Sequence, residues 1–276
     1  MILSNGYEIP SVGFGTFKTP AGEICVDAVR EAIEAGYTHI DTAAVYGNEV
    51  SVGEGVRQGG KPRKDLFITS KVWNTERGYD STLRACEKTL KDLRMEYLDL
   101  YLIHWPANRL QFSDKADSIN VDTWKAMERL VDEGLVRSAG LSNFYPHHMN
   151  PILAMANIAP AVDQIEYHPG LMQEETVSLC RENGILVEAW SPLGRGRLLE
   201  DPLLAEIAAR HGKTPAQVIL RWVLQHNILP LVKSVHAERI RENLQFFDFE
   251  LPAGDVASID ALPPFRCGSH PDEAEF

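Results

Sequence analysis

The chain has 276 residues, of which 44% are hydrophobic and 24% charged, and its formal net charge is −12. That length suffices to bury a large core without disulfides or metal. The acidic balance argues against a general nucleic-acid binder or a protein of anionic membrane surfaces. The opening residues from Met1 to Thr16 carry no basic flank and Asn5-Gly6 interrupts their apolar residues, so neither a secretory leader nor a membrane span is expected. Cys25, Cys86, Cys180 and Cys267 stand singly, which argues against zinc and structural disulfides and for a reducing, cytoplasmic setting.

In chain order, residues 2–9 read as a hairpin turning at Asn5-Gly6 and plugging one mouth of the fold. Strand-like, β-branched runs follow at 11–16, 37–42, 66–71, 98–105, 136–142, 161–166, 185–190 and 228–234. Helical patterns lie between them at 21–36, 80–94, 121–134, 174–184 and 213–227. The first spaces Val26, Val29 and Ile33 on one face and ends at Gly36, a C-terminal cap. The last opens with Thr214 as cap and Pro215 at the first helical position. Residues 263–276 lack periodicity and read as an ordered or semi-ordered loop, expected over the active-site face.

Strand and helix alternate about eight times at a spacing of roughly 30 residues, the pattern of parallel strands with right-handed crossovers. Eight units in one domain-sized chain, residues 1–276, predict an α/β fold, a closed (β/α)8 TIM barrel. An open doubly wound sheet would carry G-x-G-x-x-G after the first strand; Gly13-Phe14-Gly15-Thr16-Phe17-Lys18 breaks that rule at the third glycine.

Chemistry in such a barrel sits at the C-terminal ends of the strands. Asp41 ends the second strand with Tyr46 five residues on at the start of the next helix, Lys71 ends the third, and His104 ends the fourth. Neighbouring strands lie about 4.8 Å apart, so the four side chains can converge. A free tyrosine has a pKa near 10. An ammonium beside it lowers that pKa, so Lys71 would make Tyr46 a usable proton donor to a carbonyl oxygen. Asp41 would stabilise the buried cation, and His104 would orient the carbonyl by a hydrogen bond. Each residue alone has a plainer reading: a structural ion pair, a packing tyrosine, a rim histidine. Their joint occurrence at successive strand ends favours the chemical one.

Lys233, Ser234 and Arg239 gather two cations and a hydroxyl where the last strand meets a helix, a phosphate site within an acidic chain. The plainer reading pairs Arg239 with Glu242 on a solvated helix surface. Two other enzyme classes are open: a Schiff-base lyase acting through Lys71, which needs no phosphate site, and metal-dependent hydrolysis. The second is weak, because His147-His148 opens a helix without a carboxylate partner at ligand spacing.

The segments GYTHIDTAAVYGNE, FITSKVW, LDLYLIHWP, GLSNF, QIEYHP and KSVHAERIRENL, in this order, resemble the aldo-keto reductases through essentially the whole chain. AWSPLGRGRL and SHPDEAEF are most similar to the bacterial 2,5-diketo-D-gluconic acid reductase group. The resemblance implies that Asp41, Tyr46, Lys71 and His104 form the catalytic tetrad of a reductase with a nicotinamide cofactor. It implies that Ser142, Asn143 and Gln164 hold the nicotinamide carboxamide and that Trp190 stacks on the ring. Thr16, Ser191, Pro192, Leu193, Gly194, Gly196, Leu231, Val235 and His236 are implied as further cofactor contacts. Lys233, Ser234 and Arg239 would hold an adenosine 2′-phosphate, with Glu242 and Asn243 at the adenine. NADPH is the expected cofactor and NADH a weaker alternative.

By the same resemblance, Phe17, Trp73, His104 and Trp105 line the substrate pocket. The loop 106–120 and the tail 263–276 are short beside those of animal members, implying an open site for small carbonyls: aldehydes, methylglyoxal, keto-sugars, α-keto acids or esters. Arg266 reads either as an attractor of a substrate carboxylate or as a surface charge. A cofactor-sensing protein with little catalysis, as in channel-associated relatives, is the remaining alternative. The expected state is a monomer whose partner is a small molecule, neither nucleic acid nor membrane.

Overall fold

Eight short parallel strands close on themselves in sequence order in the computed structural model, which describes residues 1–276. They are β1 (Gly13–Gly15), β2 (His39–Asp41), β3 (Phe67–Val72), β4 (Leu98–Ile103), β5 (Val136–Ser142), β6 (Val162–Glu166), β7 (Leu186–Trp190) and β8 (Leu229–Val232). β8 pairs back onto β1 with Phe14 opposite Val232, so the (β/α)8 barrel predicted from the sequence forms and has no sheet edge. Every expected strand run falls on one of these strands, most of them trimmed by a residue or two where the chain leaves the ladder.

The expected helices also form. α1 (Glu23–Ala35) buries Cys25, Ala28, Val29, Ala32 and Ile33 and stops at Gly36, whose φ of 120° and N–H bonds to Ala32 and Ile33 make it a left-handed cap. Between it and α3 (Tyr79–Leu93) lies α2 (Glu49–Gln58), which the sequence pattern does not announce. Gly53 and Gly55 lower its helix propensity. Their role is tertiary: a Cβ at Gly53 would sit 2.2 Å from the Leu93 carbonyl oxygen, and one at Gly55 2.7 Å from Val29 Cβ. The two glycines let α2 approach α1 and α3 at backbone distance.

The short α4 (Arg109–Phe112) precedes α5 (Ala116–Asp132), and α6 (Pro146–Leu153), α7 (Glu174–Glu182) and α8 (Pro202–His211) follow. In α9 (Pro215–Gln225), Thr214 and Gln217 form a reciprocal capping box ahead of Pro215. α10 (Ala237–Glu242) and α11 (Ala253–Asp260) complete the shell.

Inside the barrel the lower layer is apolar. Leu3 and Ile9 of the N-terminal turn pack with Phe67, Leu100, Leu102, Val162, Leu229 and Leu231. The turn is closed by the Leu3 N–H to Tyr7 carbonyl bond and a single bridge between Ile2 and Glu8. It plugs one mouth, as expected, and Asn5 fastens it to Arg137 and Ser138 at the start of β5. Above the plug the lumen turns polar, and that change of layer creates the site.

Candidate active site

The upper lumen carries polar side chains from four strands, β2, β3, β6 and β7. Lys71 of β3 is fully buried, and its Nζ lies 2.7 and 2.8 Å from the two carboxylate oxygens of Asp41 on β2 and 2.8 Å from the Thr42 carbonyl oxygen. All three ammonium protons therefore have acceptors. Burial pulls the Lys71 pKa down, but the Asp41 charge and hydrogen bond outweigh it and hold the pKa above its ordinary value. A buried charge is tolerated only when paired in this way.

Gln164 of β6 reaches across the lumen, its amide nitrogen donating to Asp41 Oδ2 at 2.9 Å and to Glu188 Oε2 at 2.8 Å. Glu188 of β7 is fully buried, and burial together with the Asp41 charge pushes its carboxyl pKa up to about 8. Its Oε1 has no hydrogen-bond donor, as suits a neutral carboxyl. Below it, His39 meets Thr69 Oγ1 at 2.9 Å and is kept neutral, its pKa lowered to about 3 by burial and the Lys71 charge. Sequence reasoning singled out neither Glu188 nor His39. The available signal was parity: Glu188 stands two residues before Trp190, on the same side of an otherwise apolar strand.

Tyr46 sits in a 3-10 turn (Ala44–Tyr46) ahead of α2 rather than at the start of the helix itself. Buried Asn48 positions that turn, accepting from Thr42 Oγ1 and donating to the Thr16 and Thr19 carbonyls. Lys71 Nζ lies 5.3 Å from the Tyr46 ring centroid, and the His104 ring packs edge-on at 5.7 Å. Burial raises the Tyr46 pKa, the Lys71 cation opposes the rise, and the balance remains above the ordinary tyrosine value. The net direction is thus the reverse of the expected lowering, because desolvation outweighs the cation. The cation still acts in the expected sense, opposing the rise that burial imposes.

His104, one residue beyond β4, is held neutral by burial and by Lys71. Its Nδ1 is buried without a hydrogen-bond partner. An orphaned lone pair costs less than an orphaned N–H, which puts the ring proton on Nε2. The four tetrad residues therefore do converge.

Around them Ser142, Asn143 and Trp190 are joined. Asn143, in the left-handed region at φ 65°, donates to the His104 carbonyl at 2.9 Å and accepts from Trp190 Nε1 at 2.8 Å. Ser142 Oγ donates to the Gln164 carbonyl and Thr16 Oγ1 to that of Asp41. The loop after β7 places Ser191, Pro192 and Leu193 beside Trp190, and Ser191, Gly194 and Gly196 adopt positive φ. Lys233 and Arg239 are exposed and make no ion pair. The Arg239–Glu242 surface pair does not form. Ser234 is buried and its hydroxyl accepts from the His236 N–H at 3.0 Å, while Asn243 is buried at the end of α10 and Val235 is exposed. Leu231 alone among the expected cofactor residues packs downward, in the apolar layer over the plug.

At the rim, Phe17 packs on Tyr46 at 5.1 Å and Trp73 on His104 at 5.2 Å. The C-terminal loop lies over this face, as expected, but sequence reasoning missed the residue it sets on Trp73 and Trp105. Phe276 stacks on the first at 5.5 Å and meets the second edge-on at 5.1 Å, and Asn74 holds the Phe276 carbonyl. Arg266 is not free but half-buried, donating to Tyr145 Oη at 2.7 Å and lying 3.5 Å from Glu166. His147 and His148 do have a carboxylate partner, Asp272 from the tail, at 2.7 and 3.0 Å. A contact between residues 125 positions apart leaves no trace in local spacing.

Barrel, tetrad geometry and sequence motifs all point to one class of oxidoreductase. Comparison with known proteins agrees: the aldo/keto reductase family pattern matches residues 11–263, and the chain belongs to that family. It is 48% identical to the glyoxal reductase of Bacillus subtilis (strain 168), over 99% of this chain and 96% of that protein. It is 44% identical to the 9,11-endoperoxide prostaglandin H2 reductase of Trypanosoma cruzi, over 98% and 94% of the two chains. Among solved structures, a single-site mutant of Gox0644 in complex with NADPH superposes with a TM-score of 0.92 at 39% identity, covering 100% of this chain and 98% of that one. The protein is therefore an oxidoreductase of the aldo/keto reductase class.

Proposed function

We propose that this chain, a single barrel domain, reduces small carbonyl compounds at the expense of NADPH, with Tyr46 giving the proton to the substrate oxygen. The observation that carries the reading is the convergence of Tyr46, Lys71, Asp41 and His104 at one mouth of the barrel. Bound NADPH supplies the hydride that the carbonyl carbon receives. The protein supplies everything around that transfer.

His104 Nε2–H donates to the carbonyl oxygen and orients it beside Tyr46. As negative charge develops on that oxygen, Tyr46 Oη–H releases its proton to it. Lys71 stabilises the phenolate left behind through its field, since its own protons are directed at Asp41 and Thr42. Asp41 keeps the ammonium charged, and Gln164 keeps Asp41 in place.

The cofactor fits what the residues offer. Trp190, fixed by Asn143, presents a half-buried ring as a platform for the nicotinamide, and Ser142, Asn143 and Gln164 surround its carboxamide. The unpaired cations Lys233 and Arg239, with Ser234, are suited to a 2′-phosphate, which favours NADPH over NADH. A Schiff-base mechanism is disfavoured because Lys71 is a fully bonded ammonium, not a free amine.

The aromatic rim of Phe17, Trp73, Trp105 and Phe276 suits small aldehydes, dicarbonyls and keto-sugars, the class to which glyoxal, methylglyoxal and 2,5-diketo-D-gluconate belong. Four free cysteines are consistent with a monomer working in a reducing cytoplasm. The test follows NADPH and NADH oxidation with glyoxal, methylglyoxal, 2,5-diketo-D-gluconate, an α-keto ester and a simple aldehyde. Tight NADPH binding without consumption by any of them would return the chain to the cofactor-sensing class.

A further inference from the structure

Outside the tetrad, Glu166 ends β6, His168 follows it, and Cys267 comes in from the tail; one ligand atom from each lies within 4.8 Å of the others. Glu166 and His168 are buried and Cys267 is half-buried. The Cys267 and Gly268 N–H groups donate to the Glu166 carboxylate and hold it in place. His168 Nδ1 lies 2.9 Å from the Pro169 carbonyl oxygen. A carbonyl only accepts, so a neutral His168 carries its proton on Nδ1. That leaves a bare lone pair on Nε2, which faces Glu166 Oε1 at 3.1 Å, a second acceptor. Two acceptors at that distance in a buried site call for a cation, and Arg266 reaches only the other Glu166 oxygen, Oε2, at 3.5 Å. A proton answers the need of two groups. The third, Cys267 Sγ, sits 3.9 Å from the same Nε2, at the long limit of a sulfur hydrogen bond.

We propose that Glu166, His168 and Cys267 form a binding site for a zinc-class divalent cation. Tetrahedral metal–ligand distances of about 2.0–2.3 Å set neighbouring ligand atoms about 3.2–3.8 Å apart. The 3.1 and 3.9 Å separations bracket that range, and the third pair of ligand atoms lies within 4.8 Å. The Nδ1–H bond to a backbone carbonyl is the outer-shell support that metal-binding histidines ordinarily have. One position stays open toward the exposed side of Cys267.

The other histidine–carboxylate group lacks this preparation. His148 Nδ1 accepts from the Tyr145 N–H, so its Nε2 holds the proton and donates to Asp272. That cluster is already a completed hydrogen-bonded set. Metal at Cys267, in contrast, would clamp the tail where Gly268 lies directly on Trp190, a Cβ at that glycine falling 2.2 Å from Trp190 Cη2.

The test uses full-length, chelator-stripped protein titrated with Co²⁺ and then Zn²⁺. One bound ion with a thiolate-to-cobalt charge-transfer band, displaced by Zn²⁺, is the expected result. Cys267→Ser should remove the band and weaken binding beyond the about 10–100-fold that loss of an outer-shell partner costs. His147→Ala should leave both unchanged. Absence of the band, its survival in Cys267→Ser, or loss of binding in His147→Ala overturns the proposal, leaving a plain imidazolium–carboxylate pair.

Discussion

Gln164 Nε2 donates to Asp41 Oδ2 across the barrel lumen at 2.9 Å, joining β6 to β2 through their side chains. These strands are not neighbours in the sheet. The bond therefore couples the expected nicotinamide pocket to the charge that keeps Lys71 protonated. A disturbance on one side of the site reaches the other through a single amide.

Tyr46→Phe removes the proposed proton donor and keeps the ring packed between Phe17 and His104. Loss of general acid catalysis predicts a fall in kcat of about 100- to 10,000-fold. Steady-state reduction kinetics check this, and the NADPH Kd, followed by quenching of protein fluorescence, should move less than about tenfold, since the phenol makes no proposed cofactor contact.

Asp41→Asn leaves a buried ammonium without its counter-charge. Breaking one side of a buried pair costs about 3–5 kcal/mol. Urea denaturation should show a loss of that order, and Asp41→Asn combined with Lys71→Met should recover part of it. An additive double variant would mean that the pair is not coupled.

Lys233→Ala and Arg239→Ala each delete a cation that has no partner in the protein. A hydrogen bond to a charged group contributes about 1.5–3 kcal/mol, so the Kd for NADPH should rise about 10- to 100-fold. The Kd for NADH, which has no 2′-phosphate, should barely change. Equal losses for both cofactors would remove the phosphate assignment from these side chains.

Glu188 supplies a pH dependence. Its folded pKa is raised from 4.5 to about 8, so the unfolded chain releases this proton first. The stability linked to it is complete below pH 4.5 and is lost as pH rises toward 8 and through it. Glu188→Gln, which does not titrate, should flatten the decline of stability between those limits. Thermal unfolding of both forms at about pH 5, 7 and 8.5 measures it: the variant should gain on the parent as pH rises, and a constant difference counts against a neutral buried carboxyl.

The barrel was legible because its signals are local. Alternation of strand and helix, the Gly36 cap and the Thr214–Pro215 start each depend on a few adjacent residues, and the structure keeps them all. The tetrad was legible as well, because strand ends in this fold face one mouth, so Asp41, Lys71 and His104 could be aligned by position alone. α2 was not, since Gly53 and Gly55 are chosen by contacts with α3 and α1 and read as helix breakers in isolation.

Only the tertiary structure decided three things. It set the sign of the Tyr46 shift, because desolvation depends on what surrounds the ring and here exceeds the pull of Lys71. It chose the contacts of the tail at the rim, with Phe276 on Trp73 and Asp272 on His147, pairs of residues more than a hundred positions apart. It also set Cys267 beside Glu166 and His168. Chemistry along one strand or helix turn is written in adjacent residues; burial and long-range proximity come into being only when the chain closes on itself.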